Sequence, residues 1–379
     1  MHVECIRLQF LVESLSDSTI YMAYYLVAHF LQGGVIDGRT VGPSGIKPEQ
    51  CTNHFWDAIM LGKMGDYEAV NAINKVDMAT MKQMRREVEF WYPMDLRVSG
   101  RDLIPNHLTM SLYNHAAIWK DNAGMWPRGF YCCGLVQVDG EKMSKSKGNF
   151  ITVEDANTLW GADATRFTCA DAGDGILNAN YDRKVVNQAI LALTTEFEWI
   201  TDTLNRNQGK AAASKAVSAL RQPGAPAVWL DGWFANEMTV IATAAAKAYD
   251  AMRFKEALKT SFYLMQEARD RYRAGTSHVG ASEGLVRQWA EWQALMMNPI
   301  TPHWSEAIWE FLGKEGLCVH AKWPVPAVPE DPAITRAGEY LFEVAHTLSA
   351  TLVKSTQPKK GGKGGAAPEA AEKPNQVNR

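Results

Sequence analysis

The stretch from Phe130 to Asp155 constrains this chain most, because it runs a strand, a tight turn, a cationic loop and a helix start together with little slack. Phe130-Tyr131-Cys132-Cys133-Gly134-Leu135-Val136-Gln137-Val138 is rich in aromatic and β-branched residues, so it reads as β structure, and Asp139-Gly140 closes it with a turn signal. Thr152 to Asp155 reads as a helix start, with Thr152 as N-cap and Asp155 in a capping-box place better suited to Glu or Gln. Between them lies Lys142-Met143-Ser144-Lys145-Ser146, followed by Lys147-Gly148-Asn149. A loop of this kind leaves a sheet edge and can swing onto a triphosphate, placing ammonium charges where negative charge grows as the α-phosphate is attacked. A solvated Lys/Ser surface turn has the same residue types, so context decides between the two.

Gly100-x-Asp102-x-x-x-x-His107 is a second constellation. Met94 to Ser99 alternates like a strand and Asn106 to Trp119 reads as a helix, giving the order strand, glycine turn, helix that nucleotide sites use. Gly100 lets a ribose approach the backbone, and Asp102 can accept hydrogen bonds from ribose hydroxyls. Alone the pattern is weak, and a lone His107 reads equally as a structural histidine.

Elsewhere Ser18 to Phe30 reads as an apolar helix capped from Ser16, Asp17 or Ser18 and ended by Gly33-Gly34, with Tyr21 and Tyr25 on one face. Met78, Met81 and Met84 mark the packed side of another helix, and no chemistry is assigned to residues 35 to 90. From Asp182 to about His346 the pattern is helical, with one long stretch from Phe234 to Tyr272 and further helices at Val286 to Met297 and Glu306 to Leu312 around a Pro299 and Pro302 break. Asn207 to Pro226 reads as a loop, and Gln357 to Arg379, rich in Lys, Gly and Pro, as a disordered tail.

Glu141 to Phe150 resembles the second signature of the class I aminoacyl-tRNA synthetases, and its surroundings resemble the leucyl-tRNA synthetases of the eukaryotic and archaeal cytosolic type. The likeness is carried by Leu15 to Tyr25, by Trp91-Tyr92-Pro93 through Gly100 to Leu108, by Ala170 to Asp174, by Met252 to Thr260 and by Asn298-Pro299-Ile300-Thr301-Pro302-His303. Isoleucyl, valyl and methionyl relatives fit these stretches less well. The resemblance implies an α/β fold, the second half of a Rossmann-type catalytic domain over 1–151, then a connecting fold with a hinge at Arg166 and Ala170 to Asp174 over 152–181. An all-α bundle of the anticodon-binding type over 182–346 and a linker with a disordered tail over 347–379 complete it.

The activity so implied is ATP-dependent conversion of leucine to leucyl-adenylate and its transfer to tRNA in the cytoplasm, with Mg2+ accompanying ATP. Lys142 and Lys145 are the expected catalytic residues. Gly100, Asp102, Asn106, His107, Gly134 and the loop residues Lys142, Met143, Ser144, Lys145 and Ser146 are expected on ATP, with Gly134 opening the backbone to adenine. Ser18, Tyr21 and His107 are expected on leucine, where an apolar slot discriminates by only about 1–3 kcal/mol per methylene. Arg269, Arg271 and Arg273 are candidate contacts for the tRNA backbone, with solvated helix faces the simpler reading.

Two departures bear on this expectation. No His-x-Gly-His type string occurs, and nothing corresponds to an inserted editing domain. The chain therefore reads as the later half of such an enzyme, predicted inactive alone, with the missing half and other synthetase-complex proteins as candidate partners. The alternative is an inactive paralogue that binds tRNA or protein. A net charge of −3 on 379 residues argues against wholesale polyanion binding, so tRNA contacts must be local. No apolar run is long enough for a membrane span, Met1 to Arg7 lacks the pattern of a signal peptide, and the six cysteines show no metal-ligand spacing and read as reduced thiols.

Overall fold

The computed structural model describes residues 19–35, 39–63, 67–207, 220–326 and 329–356. They fall into two compact units, Met1–Leu135 with Gly175–Asn178, and Val136–Asp174 with Ala179–Arg379. The expected caps Ser16, Asp17 and Ser18, the cysteine Cys5 and the tail from Gln357 lie outside the described residues, as does most of the loop expected from Asn207.

The described residues of the first unit open with α1 (Tyr21–Leu31), α2 (Asn53–Leu61), α3 (Tyr67–Asn74) and α4 (Met78–Trp91). Helix α4 starts where the Asp77 carboxylate accepts from the Thr80 amide at 2.9 Å, and it turns Met81, Met84 and Val88 into the core at i, i+3 and i+7. Ala23 and Val27 of α1 and Phe55 and Ile59 of α2 complete that core, with Met78 packed at its edge. Arg85 donates to the Ile59 and Met60 carbonyls at 2.9 and 3.0 Å, satisfying the end of α2 where Gly62 turns left-handed. Next comes β1 (Arg97–Gly100), which leads through a tight turn at Arg101–Leu103 and a π-turn at Ile104–Leu108 into α5 (Thr109–Ile118). Strand β2 (Phe130–Cys133) then pairs with β1 in parallel, Arg97 opposite Phe130 and Gly100 opposite Cys133.

The β run expected from Phe130 to Val138 is interrupted at Gly134-Leu135. There the Gly134 amide donates to the Gly175 carbonyl at 3.1 Å and the Leu135 amide to Asn178 Oδ1 at 3.2 Å, so the chain leaves the β1–β2 ladder for residues 175–178. The second unit opens with β3 (Val136–Val138), which pairs antiparallel with β4 (Glu141–Lys142) and parallel with β5 (Ala179–Tyr181). Asp139 and Gly140 both take positive φ, 51° and 83°, as a two-residue hairpin turn demands.

Helices α6 (Val153–Trp160) and α7 (Ala162–Ala172) follow the loop, then α8 (Arg183–Asn207), α9 (Trp229–Asp250), α10 (Phe254–Leu258), α11 (Met265–Gly275), α12 (Glu283–Met297), α13 (Pro302–Phe311) and α14 (Pro332–Thr356). The capping box forms with Asp in the third place. The Asp155 amide donates to Thr152 Oγ1 at 2.9 Å and the Thr152 amide to Asp155 Oδ2 at 3.2 Å. Hydrogen bonds from Thr152, side chain first and then amide, hold the Asp155 carboxyl below the usual range.

Three helix expectations need correction. The stretch Phe234 to Tyr272 breaks at Ala251–Arg253, where Met252 takes a φ of 54° and the Asp174 carboxylate accepts from the Lys255 amide at 3.0 Å, capping a new start. Pro302 opens α13 at its first turn, where its missing N–H costs nothing, rather than marking a gap before Glu306. Helix α14 runs to Thr356, ten residues beyond the boundary at 346, and near its start Gly338 lets it lie on Trp233. A Cβ there would sit 2.1 Å from the indole nitrogen.

Neither reading of Arg269 survives. Its side chain is 8% exposed and pairs with Glu196, itself 1% exposed, at 2.5 Å. The guanidinium lies 4.2 Å from the Trp199 ring centre and 5.0 Å from that of Trp289. A buried charge held this way belongs to the bundle core, not to a tRNA surface. Arg271 and Arg273 stay half-exposed, paired with Glu267 and Asp270. Glu196→Ala should therefore lower stability by about 3 kcal/mol, since it removes the buried carboxylate and leaves the guanidinium only the half-exposed Asp270, while Glu267→Ala should cost under about 1 kcal/mol. Urea unfolding of the two variants checks the contrast.

Candidate active site

The first unit places its expected site residues at the carboxyl end of β1, where α/β sheets bind ligands. Gly100 is extended, and a Cβ on it would fall 2.6 Å from Asp102 Oδ1, so the glycine is what lets the exposed Asp102 carboxylate fold back over the strand end. Asn106 donates to the Asp102 carbonyl at 3.4 Å and accepts from the His107 amide at 2.6 Å. His107 is buried, at 3% exposure, and its ring stacks on Tyr21 with centres 5.8 Å apart and planes 19° from parallel. Two of the three residues expected on leucine are thus brought together; the third, Ser18, lies outside the described residues.

Arg97 belongs to this cluster and was not expected there. Its guanidinium stands 5.4 Å from the Tyr21 ring centre. Burial, and secondarily the Arg97 charge, push the His107 imidazole below its usual pKa, so it is neutral near pH 7. Alternation along β1 put Arg97 and Ser99 on one face, but nothing in the local sequence paired that face with Tyr21.

At Gly134 a Cβ would lie 2.1 Å from the Leu177 carbonyl oxygen and 2.4 Å from the Leu177 carbonyl carbon. On that side the close backbone approach that the glycine permits is taken by the chain's own residues 177–178, a packing reason for glycine beside the expected approach of adenine.

In the second unit the lysine loop is carried by the β3–β4 hairpin. Asp139 fixes the hairpin to the start of α8, accepting from the Arg183 amide at 3.1 Å and from its guanidinium at 2.9 Å, and the Gly140 amide donates to Asn180 Oδ1 at 2.6 Å. Lys142 ends β4 with an exposed side chain, Met143 and Ser144 are half-buried, and the backbone of Lys145 opens a single tight turn, Lys145–Lys147. Ser144 Oγ and Ser146 Oγ share a hydrogen bond at 2.7 Å, and Lys147 reaches Glu141 at 3.4 Å. Among the described residues no group of three or more His, Cys, Asp or Glu is disposed to hold a metal ion, and no helix is long and apolar enough to cross a membrane.

Arg166, expected at a hinge, and its neighbour Asp163 make contacts within this unit. Arg166 of α7 donates to the carbonyls of Pro299 and Ile300 at 2.7 and 2.9 Å, and Asp163 accepts from the Trp304 amide at 2.6 Å while meeting His303 Nδ1 at 3.1 Å.

Residues 73–181 match the family described as tRNA synthetases class I (I, L, M and V), and residues 231–360 match the anticodon-binding domain of tRNA ligase. The cytoplasmic leucine–tRNA ligase of Pongo abelii is 40% identical over 355 residues, 94% of this chain and 29% of that protein. The cytoplasmic enzyme of Neurospora crassa is 39% identical over 94% of this chain and 30% of its own length, and the leucine–tRNA ligase of Aeropyrum pernix 37% identical over 84% and 31%. The chain belongs to the leucine–tRNA ligase family of class I synthetases. It spans about 30% of the length of the curated relatives it matches. The fold agrees with a solved ternary complex of Agrobacterium radiobacter K84 LeuRS, tRNA and LeuAMS, at a TM-score of 0.51 and 18% identity, covering 72% of this chain and 32% of that one.

Gly134→Ala should destabilise this ligase-family chain by roughly 1–3 kcal/mol, because backbone rather than a flexible side chain has to yield. A thermal scan reads the cost, and an unchanged midpoint would show that residues 175–178 can move aside.

Proposed function

We propose that this chain supplies leucine-activating and tRNA-binding parts of a cytoplasmic leucine–tRNA ligase. The observation that carries the reading is identity near 40% with leucine–tRNA ligases over 94% of the chain, with the lysine loop and His107 inside the class I synthetase match. In the proposed reaction a leucine carboxylate oxygen bonds to the α-phosphorus of ATP and the bond to the β-phosphate oxygen breaks, so pyrophosphate leaves with the electron pair. A ribose hydroxyl of tRNA then takes the leucyl group and AMP departs.

Roles follow from chemistry. Tyr21 and the neutral His107 give the leucine side chain an apolar, aromatic wall, with Ser18 assigned beside them. Gly100 and Asp102 take the ribose, and Asn106 and His107 stand between adenosine and leucine. Lys142 and Lys145 place ammonium charge on the phosphates, while Met143, Ser144 and Ser146 shape the loop that carries them. Gly134 packs on Leu177 and opens its backbone to adenine. Magnesium would accompany ATP through phosphate oxygens and water. The second unit's helices would bind tRNA, with Arg271 and Arg273 available at the surface and Arg269 withdrawn from that role.

A second reading is a paralogue that binds tRNA or protein without catalysis. Leucine-dependent pyrophosphate exchange separates the two. The 379-residue chain alone is expected to give none. Joined to the remainder of a relative it should restore exchange, and continued silence would favour the paralogue. In that joined enzyme Lys145→Ala should lower the activation rate by about two to three orders of magnitude with little change in leucine affinity. An unaltered rate would remove Lys145 from its central place.

A further inference from the structure

The lysine loop is held in shape by a residue outside the five-residue motif. Asn149 Oδ1 accepts from the Ser144 amide at 2.8 Å, and Asn149 Nδ2 donates to the Lys142 carbonyl at 3.1 Å. One carboxamide thus spans the segment from which both candidate catalytic lysines depart. The side chain can reach back because Gly148 turns the chain at a φ of 68°, with open space around it, so the glycine is required by conformation and not by crowding. Inside the ring so formed, the Lys147 amide donates to the Ser144 carbonyl at 3.2 Å, closing the turn at Lys145–Lys147. The ion pair Lys147–Glu141 at the base is 63% exposed on both sides, too solvated to fix a backbone.

We propose that Asn149 is the positioning residue of the lysine loop, a carboxamide clamp that sets the backbone from Lys142 to Ser144 and so the directions from which Lys142 and Lys145 approach a triphosphate. The proposal rests on the loop being the phosphate-binding element assigned above. The carboxamide suits this because it offers a donor and an acceptor on one planar group. Aspartate keeps the acceptor for Ser144 but puts a carboxylate oxygen against the Lys142 carbonyl, and alanine removes both bonds.

Trypsin reads the clamp directly, since Lys142, Lys145 and Lys147 are all cleavage sites. Digests of the full chain, followed by mass spectrometry of peptides ending at these lysines, compare the wild type with Asn149→Ala, Asn149→Asp and Glu141→Gln, with cleavage after Lys255 and Lys314 as a fold control. Loop cleavage should rise on the order of tenfold for Asn149→Ala, the effect of losing two hydrogen bonds, by an intermediate factor for Asn149→Asp, and by less than about twofold for Glu141→Gln. Unchanged loop cleavage in Asn149→Ala overturns the proposal, and if that variant opens at the control sites too, the Asp variant decides by the same comparison.

MgATP supplies the readout that a scaffold residue would not move. It should slow loop cleavage in the wild type and require a several-fold higher concentration in Asn149→Ala. Equal half-protection in the two refutes positioning. Absence of protection in the wild type counts against the phosphate-binding reading itself, while the cleavage ratio without nucleotide still judges the clamp.

Discussion

Backbone amides and carbonyls left without partners where helices stop are the constraint that organises this molecule. A buried orphan costs about as much as a lost hydrogen bond, and the chain meets that cost with charged or amide side chains borrowed from another element. Arg85 closes the end of α2, Asp174 the start of α10, Asp163 the start of α13, and Arg166 the carbonyls of Pro299 and Ile300 that follow α12. Each of these side chains both ends one element and locates a second. Asn149 applies the same device to a loop instead of a helix.

Local signals were legible wherever the partner lay within a few residues. Thr152 with Asp155, Asp139 with Gly140, and the methionine face of α4 could be read because capping, turn conformation and helical spacing are properties of short windows. The Lys loop and the Gly100 to His107 turn were legible for the same reason, since strand, turn and helix follow one another directly. Such windows also located the family likeness, which sits on these turns more than on the core.

What escaped was long-range. Arg269 looked like a surface cation because an arginine-rich helix end has no local mark of burial, and the Glu196 and Trp199 that enclose it lie some seventy residues away. Gly134 announces close approach without saying by what, and its packing partner Leu177 is more than forty residues on. The break at Ala251–Arg253 is invisible to helix propensity, being fixed by a carboxylate at Asp174. Pairing across such separations is a tertiary fact that no window carries.

Arg166, Asp163 and Asp174 have a consequence for movement. Together they stitch α7 to the helical bundle at three points. The hairpin is mortared to α8 by Asp139 in the same way. The lysine loop thus departs from an anchored base, and a swing of its lysines that leaves the base in place is a rearrangement of the short segment from Lys142 to Asn149, on the timescale of loop motion.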